Sequence, residues 1–133
     1  MRQFNLEIVT PDGVAFSAEA ESLIVKTTLG NVEILYGHTD YFAALSTGVA
    51  KIKSNSKTRY ASLSGGFISV SSSNVKVVAT TFEFSDEIDK KRAERAKERA
   101  EALLAAAKDE KETKIARAKL TRALNRIEAS EAK

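Results

Sequence analysis

The 133-residue chain has no cysteine and no tryptophan, one histidine and one proline. Without thiols there is neither a disulfide framework nor a thiolate metal centre, and His38 alone gives zinc no ligand set. No apolar run reaches the roughly 20 residues that a membrane-spanning helix needs. No cleavable leader is expected ahead of the first structured segment, and the composition fits a soluble, intracellular protein. Catalytic constellations are missing too. There is no glycine-rich phosphate loop, no nucleophile elbow, and no carboxylate pair or nucleophile–base pair in a groove-forming context, so the expectation is a protein that makes no bond itself.

The chain does have charge, and it is unevenly placed. Residues 1–86 hold seven Lys/Arg against eight Asp/Glu, whereas residues 87–133 hold fourteen against ten. The net charge of +3 therefore comes from the last third, where an acidic partner would be met first.

Hydrophobic periodicity divides the chain at the same place. "FNLEIV" sets Phe4, Leu6 and Ile8 on one face, and "TPDG" follows as a turn. "SLIVKT", "VEIL", "GVAKIK", "TRYASLS", "GFISV" and "VKVVATTFEF" repeat the pattern between the turn chemistries "LGN", "SNSK", "SGG" and "SSSN". Such short, regularly broken runs predict a β-sandwich or flattened barrel of about ten strands over residues 1–85. "SGGF" (Ser64–Phe67) reads as a turn or bulge that glycine permits.

From 86 to 133 the period is helical. Ala93, Ala96, Ala100, Leu103 and Ala107 recur at spacings of three and four, as do Ala116, Leu120, Ala123, Ile127 and Ser130, with the polar "KDEKET" between them. The pattern predicts an antiparallel two-helix hairpin, each helix of roughly five turns, with "KDEKET" as the loop. Asp86 is the expected N-cap, with Asp89 in the first turn. Leu104 and Leu124 flank the seam and are expected to face the sandwich. A seam made mostly of alanine buries little area, so closure should be marginal and easily biased.

One edge of this hairpin is electrostatically odd. With Ala93, Ala100 and Ala107 at heptad position a, Arg92 and Arg99 fall at g; in the second helix Lys119 and Arg126 do, with Arg122 one turn away. The g edges of an antiparallel pair face each other, so cations meet cations. Arg99, Arg122 and Arg126 have no acid three or four residues away, whereas Lys97 has Glu94 and Glu101. Like charges across an exposed groove cost about 1 kcal/mol each in water, and a phosphate would turn that cost into attraction. Three uses stay open for such an edge: side chains splayed into solvent, a groove for a phosphorylated anion, or a basic hairpin for nucleic acid. Against the last, the hairpin has no aromatic residue to stack bases.

"VTPDG" (Val9–Gly13), "SGGFISV" (Ser64–Val70), "IDKKRA" (Ile88–Ala93) and "ALNRI" (Ala123–Ile127) stand in the order and at the places found in one family. Over essentially its whole length the chain resembles the ε subunit of bacterial F-type ATP synthase, and looks most like the Bacillus-type, ATP-binding forms. The resemblance implies a rotor subunit whose sandwich docks on the γ subunit and the c-ring. It also implies a hairpin that is either folded on the sandwich or extended into the α/β assembly, where it blocks ATP hydrolysis. ATP, the implied regulatory ligand, would hold the hairpin folded, with no covalent cofactor. The place would be the cytoplasmic face of the cell membrane, as a peripheral part of F1. Carried over residue by residue, the ATP contacts fall on Glu83, Ile88, Asp89, Arg92, Ala93, Arg99, Arg122 and Arg126. A chemical division follows as a hypothesis: the arginines take phosphate oxygens, while Glu83, Ile88, Asp89 and Ala93 frame base and ribose. The loop facing the ring departs from the family pattern: in "GNVEILYGH", Asn31, Glu33 and Tyr36 replace Glu, Gly and Pro, and Asp40 stands where a second proline is common. Asn31, Tyr36 and His38 are the implied rotor contacts, with the His38 ring packed at the γ/c interface. The same scaffold without a working ATP site would be a structural connector.

Overall fold

The computed structural model describes residues 2–132; Met1 and Lys133, the outermost positions of the two expected units, lie outside the described residues. Ten strands come first: β1 (Phe4–Thr10), β2 (Gly13–Ala20), β3 (Ser22–Thr27), β4 (Gly30–Leu35), β5 (Tyr41–Ala44), β6 (Gly48–Ser54), β7 (Lys57–Ser64), β8 (Phe67–Ser71), β9 (Asn74–Val78) and β10 (Thr81–Phe84). They form two five-stranded sheets, ordered β2-β1-β9-β8-β5 and β10-β7-β6-β3-β4. All pairings are antiparallel except β1 with β9. The expected sandwich is the observed one.

Its core follows from period-2 alternation. Phe4, Leu6 and Ile8 of β1 meet Leu23 and Val25, Ala50 and Ile52, Ile68 and Val70, and Val75 and Val77, all buried between the sheets. Two hairpins turn on the residues that the sequence marks. Asn55 and Ser56, and Ser72 and Ser73, all have positive φ, the signature of two-residue type I′ turns that match strand twist. "SGGF" needs its glycine for a harder reason. A Cβ on Gly66 would lie 1.7 Å from the Val78 carbonyl oxygen, at φ +98°.

Two helices complete the chain: α1 (Lys90–Ala106) and α2 (Glu110–Glu131), preceded by a 3-10 turn at Ser85–Glu87. The expected cap is displaced by one turn. Asp89, not Asp86, is the N-cap of α1, and its carboxylate accepts from the Arg92 backbone N–H at 3.1 Å. Asp86 instead pairs with Arg59 at 3.4 Å, and the same guanidinium lies 3.5 Å from the centroid of the Phe84 ring, so Arg59 pins the turn to the sandwich. "KDEKET" is not a six-residue loop either. Asp109 caps α2 by accepting from Glu112 N–H at 2.8 Å, and Glu112 reaches back to Lys108 N–H at 2.8 Å, so four of the six residues already belong to the helix. This reciprocal arrangement resembles a capping box, whose residues are polar because they bond backbone.

The seam is alanine as expected: Ala93 and Ala100 of α1, and Ala116, Ala123 and Ala129 of α2, are buried. Leu124 does not face the sandwich; it is 45% exposed. Asn125 occupies that place, buried against β6 and β7. Leu103, expected in the seam, is 48% exposed and borders a hollow between the two helices.

Candidate functional site

The outer face of the second sheet is polar where α2 covers it. Facing residues alternate along β7 and β10: Ala61, Leu63 and Phe84 point to the core, while Ser62 and Glu83 stand opposite each other on the outer side. Here α2 sets its side chains down. Asn125 Nδ2 donates to the Gly48 carbonyl at 2.9 Å and to Ser62 Oγ at 3.0 Å, and Arg126 Nε stands 3.9 Å from a Glu83 carboxylate oxygen.

Beside this seat a cavity of about 450 Å3 opens between the hairpin and the sandwich. Small-molecule sites commonly measure ~300–1,000 Å3. Seven of the eight residues expected at a nucleotide site line it: Glu83, Ile88, Asp89, Arg92, Ala93, Arg99 and Arg126. A strand, the inter-unit turn and both helices supply them. Arg122 is not among them; it borders an adjoining hollow of about 290 Å3, which shares Ala96, Arg99 and Arg126 with the first and adds Lys119. The cationic side of the cavity therefore continues between the two helices.

Charge in the cavity is only partly answered. Among the described residues Arg92, Arg99 and Arg122 have no ion-pair partner. Arg126, without a local acid along its helix, finds Glu83 through the fold instead. Asp89 does not neutralise the Arg92 guanidinium; its carboxylate serves the Arg92 backbone as a helix cap. The opposite wall belongs to the sandwich and was not legible in the sequence. Thr10 at the end of β1, Asp12 of the turn that follows, Ser62 of β7, Thr80, and Thr81 and Phe82 of β10 all contribute. Chemically the cavity offers guanidinium forks from the helices, hydroxyls and the Asp12 and Glu83 carboxylates from the sandwich, two further carboxylates from Glu87 and Asp89 at the junction, and apolar contact from Ile88 and Phe82. Among the described residues no cluster of three or more His, Cys, Asp or Glu side chains suits a metal ion.

The expected rotor contacts do not converge on one point. Asn31 is exposed near the start of β4, while Tyr36 and His38 follow its other end. Tyr36 is 44% exposed, with the Arg2 guanidinium 5.2 Å from its ring centroid. His38 is half-buried, its Nδ1 within 2.8 Å of the Thr39 carbonyl oxygen and its ring edge-on to Tyr41.

Residues 3–85 match the family described as ATP synthase, Delta/Epsilon chain, beta-sandwich domain, and residues 86–131 match the accompanying long alpha-helix domain. A relative from Ruminococcus albus, named ATP synthase epsilon chain, is 43% identical over 134 aligned residues, covering all of both chains. One of the same name from Staphylococcus aureus strain JH9 is 39% identical over 136, again with full coverage. Among solved structures, a chain of the Euglena gracilis mitochondrial ATP synthase superposes with a TM-score of 0.81 at 21% identity, covering 92% of this chain and 78% of that one. A Tetrahymena thermophila mitochondrial ATP synthase chain gives 0.67 at 13%, covering 97% of each. These two likenesses concern the fold. Full-length identity to the bacterial relatives, with both family domains matched in sequence order, establishes that the chain belongs to the ATP synthase epsilon-chain family.

Proposed function

We propose that the chain is a non-catalytic central-stalk subunit of a bacterial F-type ATP synthase whose hairpin, folded as seen here, is the ATP-bound or ATP-competent state of a brake on hydrolysis. The observation that carries the nucleotide reading is the meeting of Glu83, Ile88, Asp89, Arg92, Ala93, Arg99 and Arg126 around one cavity. Arg92 and Arg99 stand there without a partner among the described residues, which suits a ligand that brings its own anions. Part of the wall is strand and part is helix, so a ligand can be held only while the hairpin is folded. Ligand and closure are then linked, and binding shifts the hairpin equilibrium by its differential affinity for the two states.

The folded state is also built to be left. The hairpin rests on the Gly48 carbonyl, Ser62 and Glu83 of the second sheet, polar groups that water can take over when α2 departs, and its own seam is small alanine side chains. In the extended form the freed helices would reach the α/β assembly, their basic residues meeting acidic ones. The sandwich would remain on γ and the c-ring. Exposed apolar side chains on the sandwich support such docking: Leu29 is 97% and Phe42 69% exposed, and the Phe42 and Phe67 rings stack 5.2 Å apart at the edge of the first sheet. The place would be peripheral, at the cytoplasmic face of the cell membrane.

Calorimetric titration with ATP and with ADP at one salt concentration tests the reading. Saturable binding with ATP clearly preferred is expected, because the cationic edge can count the third phosphate. No heat at millimolar ATP would reduce the protein to a structural connector. Affinity for polymeric nucleic acid that falls steeply with salt would move it to another class.

A further inference from the structure

Asn125 is the only buried residue of either helix that is not alanine, among those described. It is 7% exposed, and both bonds from its amide nitrogen go to the sandwich: to the Gly48 carbonyl on β6 and to Ser62 Oγ on β7. Ser62 is 5% exposed and lines the cavity that also holds Arg92, Arg99 and Arg126. Asn125 itself lines neither hollow. The next residue along α2 is Arg126, which lines both and stands at 3.9 Å from Glu83, the strand partner of Ser62.

This geometry has a consequence for the ligand. A serine hydroxyl has one proton and two acceptor lone pairs. Asn125 uses Ser62 Oγ as an acceptor, so the Ser62 proton is directed elsewhere, and the cavity is the open side. A helix sliding by one residue on this seat would remove both amide bonds at once and carry Arg126 away from Glu83. No apolar side chain could fix that register as sharply, since apolar contact is non-directional. A single buried asparagine setting the register of packed helices is a known use of such a residue.

We infer that Asn125 is the positioning residue of the nucleotide site: its amide locks α2 onto β6 and β7 in one register, which sets Arg126 at the cavity and makes the Ser62 hydroxyl a donor to the bound phosphate-bearing ligand. The inference rests on the ATP reading for its ligand, but the register it assigns stands by itself. Leucine at 125 would leave the Gly48 carbonyl and Ser62 Oγ without this donor. Aspartate would remove it and set a second carboxylate near Glu83.

The test uses the full chain and two readouts. Because the sequence has no cysteine, Thr58→Cys on β7 and Glu128→Cys on α2, both exposed, carry a unique pair of spin labels. Asn125→Ala is expected to broaden the distance distribution without ligand, and saturating ATP should restore the wild-type distribution. Its ATP affinity should fall about tenfold although the side chain touches no part of the cavity, the loss expected when roughly one net hydrogen bond disappears. Ser62→Ala should weaken ATP on its own and cost less in the Asn125→Ala background, because without Asn125 the Ser62 hydroxyl is no longer held as a donor toward the ligand and part of its contribution is already lost. Asn125→Gln, which keeps the amide, guards against a variant that merely fails to fold and should lie between wild type and Asn125→Ala. Unchanged distances and affinity in Asn125→Ala would overturn the inference, and so would additive losses in the double variant. If wild type binds no ATP, the nucleotide reading fails; a broadened Asn125→Ala distribution would still uphold the register, and an unbroadened one would remove it.

Discussion

Arg126 is held in two ways that differ in strength. Its pair with Glu83 is long, at 3.9 Å, and both side chains are more than a third exposed, so by itself it contributes under about 1 kcal/mol. A phosphate would offer the same guanidinium shorter, charge-assisted bonds, and Glu83 would then be freed for the sugar or base. Arg92 reaches the cavity from the first turn of α1, its backbone already fixed by the Asp89 cap. Arg92→Ala and Arg126→Ala are each expected to weaken ATP binding by about 1–3 kcal/mol, read by the same titration. Arg92 is exposed, so its loss should move stability by no more than about 0.5 kcal/mol; Arg126 also gives up its Glu83 pair, so its loss should cost under about 1 kcal/mol, and a melting curve separates lost contact from lost fold. Losses below a few tenths in both variants would return the edge to solvent.

At the scale of elements, what the sequence disclosed was whatever is local. Strand alternation, the turn residues of "SNSK" and "SSSN", and the alanine stripe each act over a few residues. They placed both turns, both helices and most strands, but β2, exposed along most of its length, and the four-residue β5 gave no run, and "VKVVATTFEF" spans both β9 and β10. The cationic edge was legible too, because the absence of an acid near Arg99, Arg122 and Arg126 can be counted along the helix; Glu83, Ile88, Asp89 and Ala93 came only from family resemblance. What stayed hidden depends on which surfaces meet. Leu124 was expected on the sandwich because it is apolar, yet the next residue is turned by ~100° around the helix, and it is Asn125 that meets β7. Thr10, Asp12, Thr80 and Thr81 join the cavity only because the end of β1 and the start of β10 lie across it from α1. The alanine seam invites a direct test. Ala100 is 1% exposed, so Ala100→Leu overpacks the hairpin by an estimated ~1–3 kcal/mol. Amide hydrogen exchange should then quicken in α1 and α2 while the strands keep their protection. Equal loss in the strands would mean that hairpin and sandwich unfold as one unit, and that a hairpin able to leave is the wrong description.

Over the whole molecule, the core is drawn, among the described residues, from residues 4–84, and no described helical side chain belongs to it. The sandwich therefore has its own reason to fold, and the last ordered pin toward the hairpin, Arg59 on Phe84 and Asp86, lies on the sandwich side of the junction. Removing residues 87–133 keeps that pin and uncovers the Gly48 carbonyl, Ser62 and Glu83, groups that water can solvate in place of Asn125 and Arg126. The truncated chain should thus remain folded and, if the sandwich alone docks on the stalk, should still assemble into the synthase. The hydrolysis rate of the reconstituted complex is then the discriminating quantity. A brake carried by the hairpin predicts a higher rate after truncation, and predicts that ATP no longer changes the onset of activity, because both the blocking helices and the whole cationic wall are gone. Assembly with an unchanged rate would leave the sandwich as a connector and remove inhibition from the hairpin's duties. Loss of assembly would place part of the docking surface on the helices, contrary to a seat that is polar and a core that ends at Phe84.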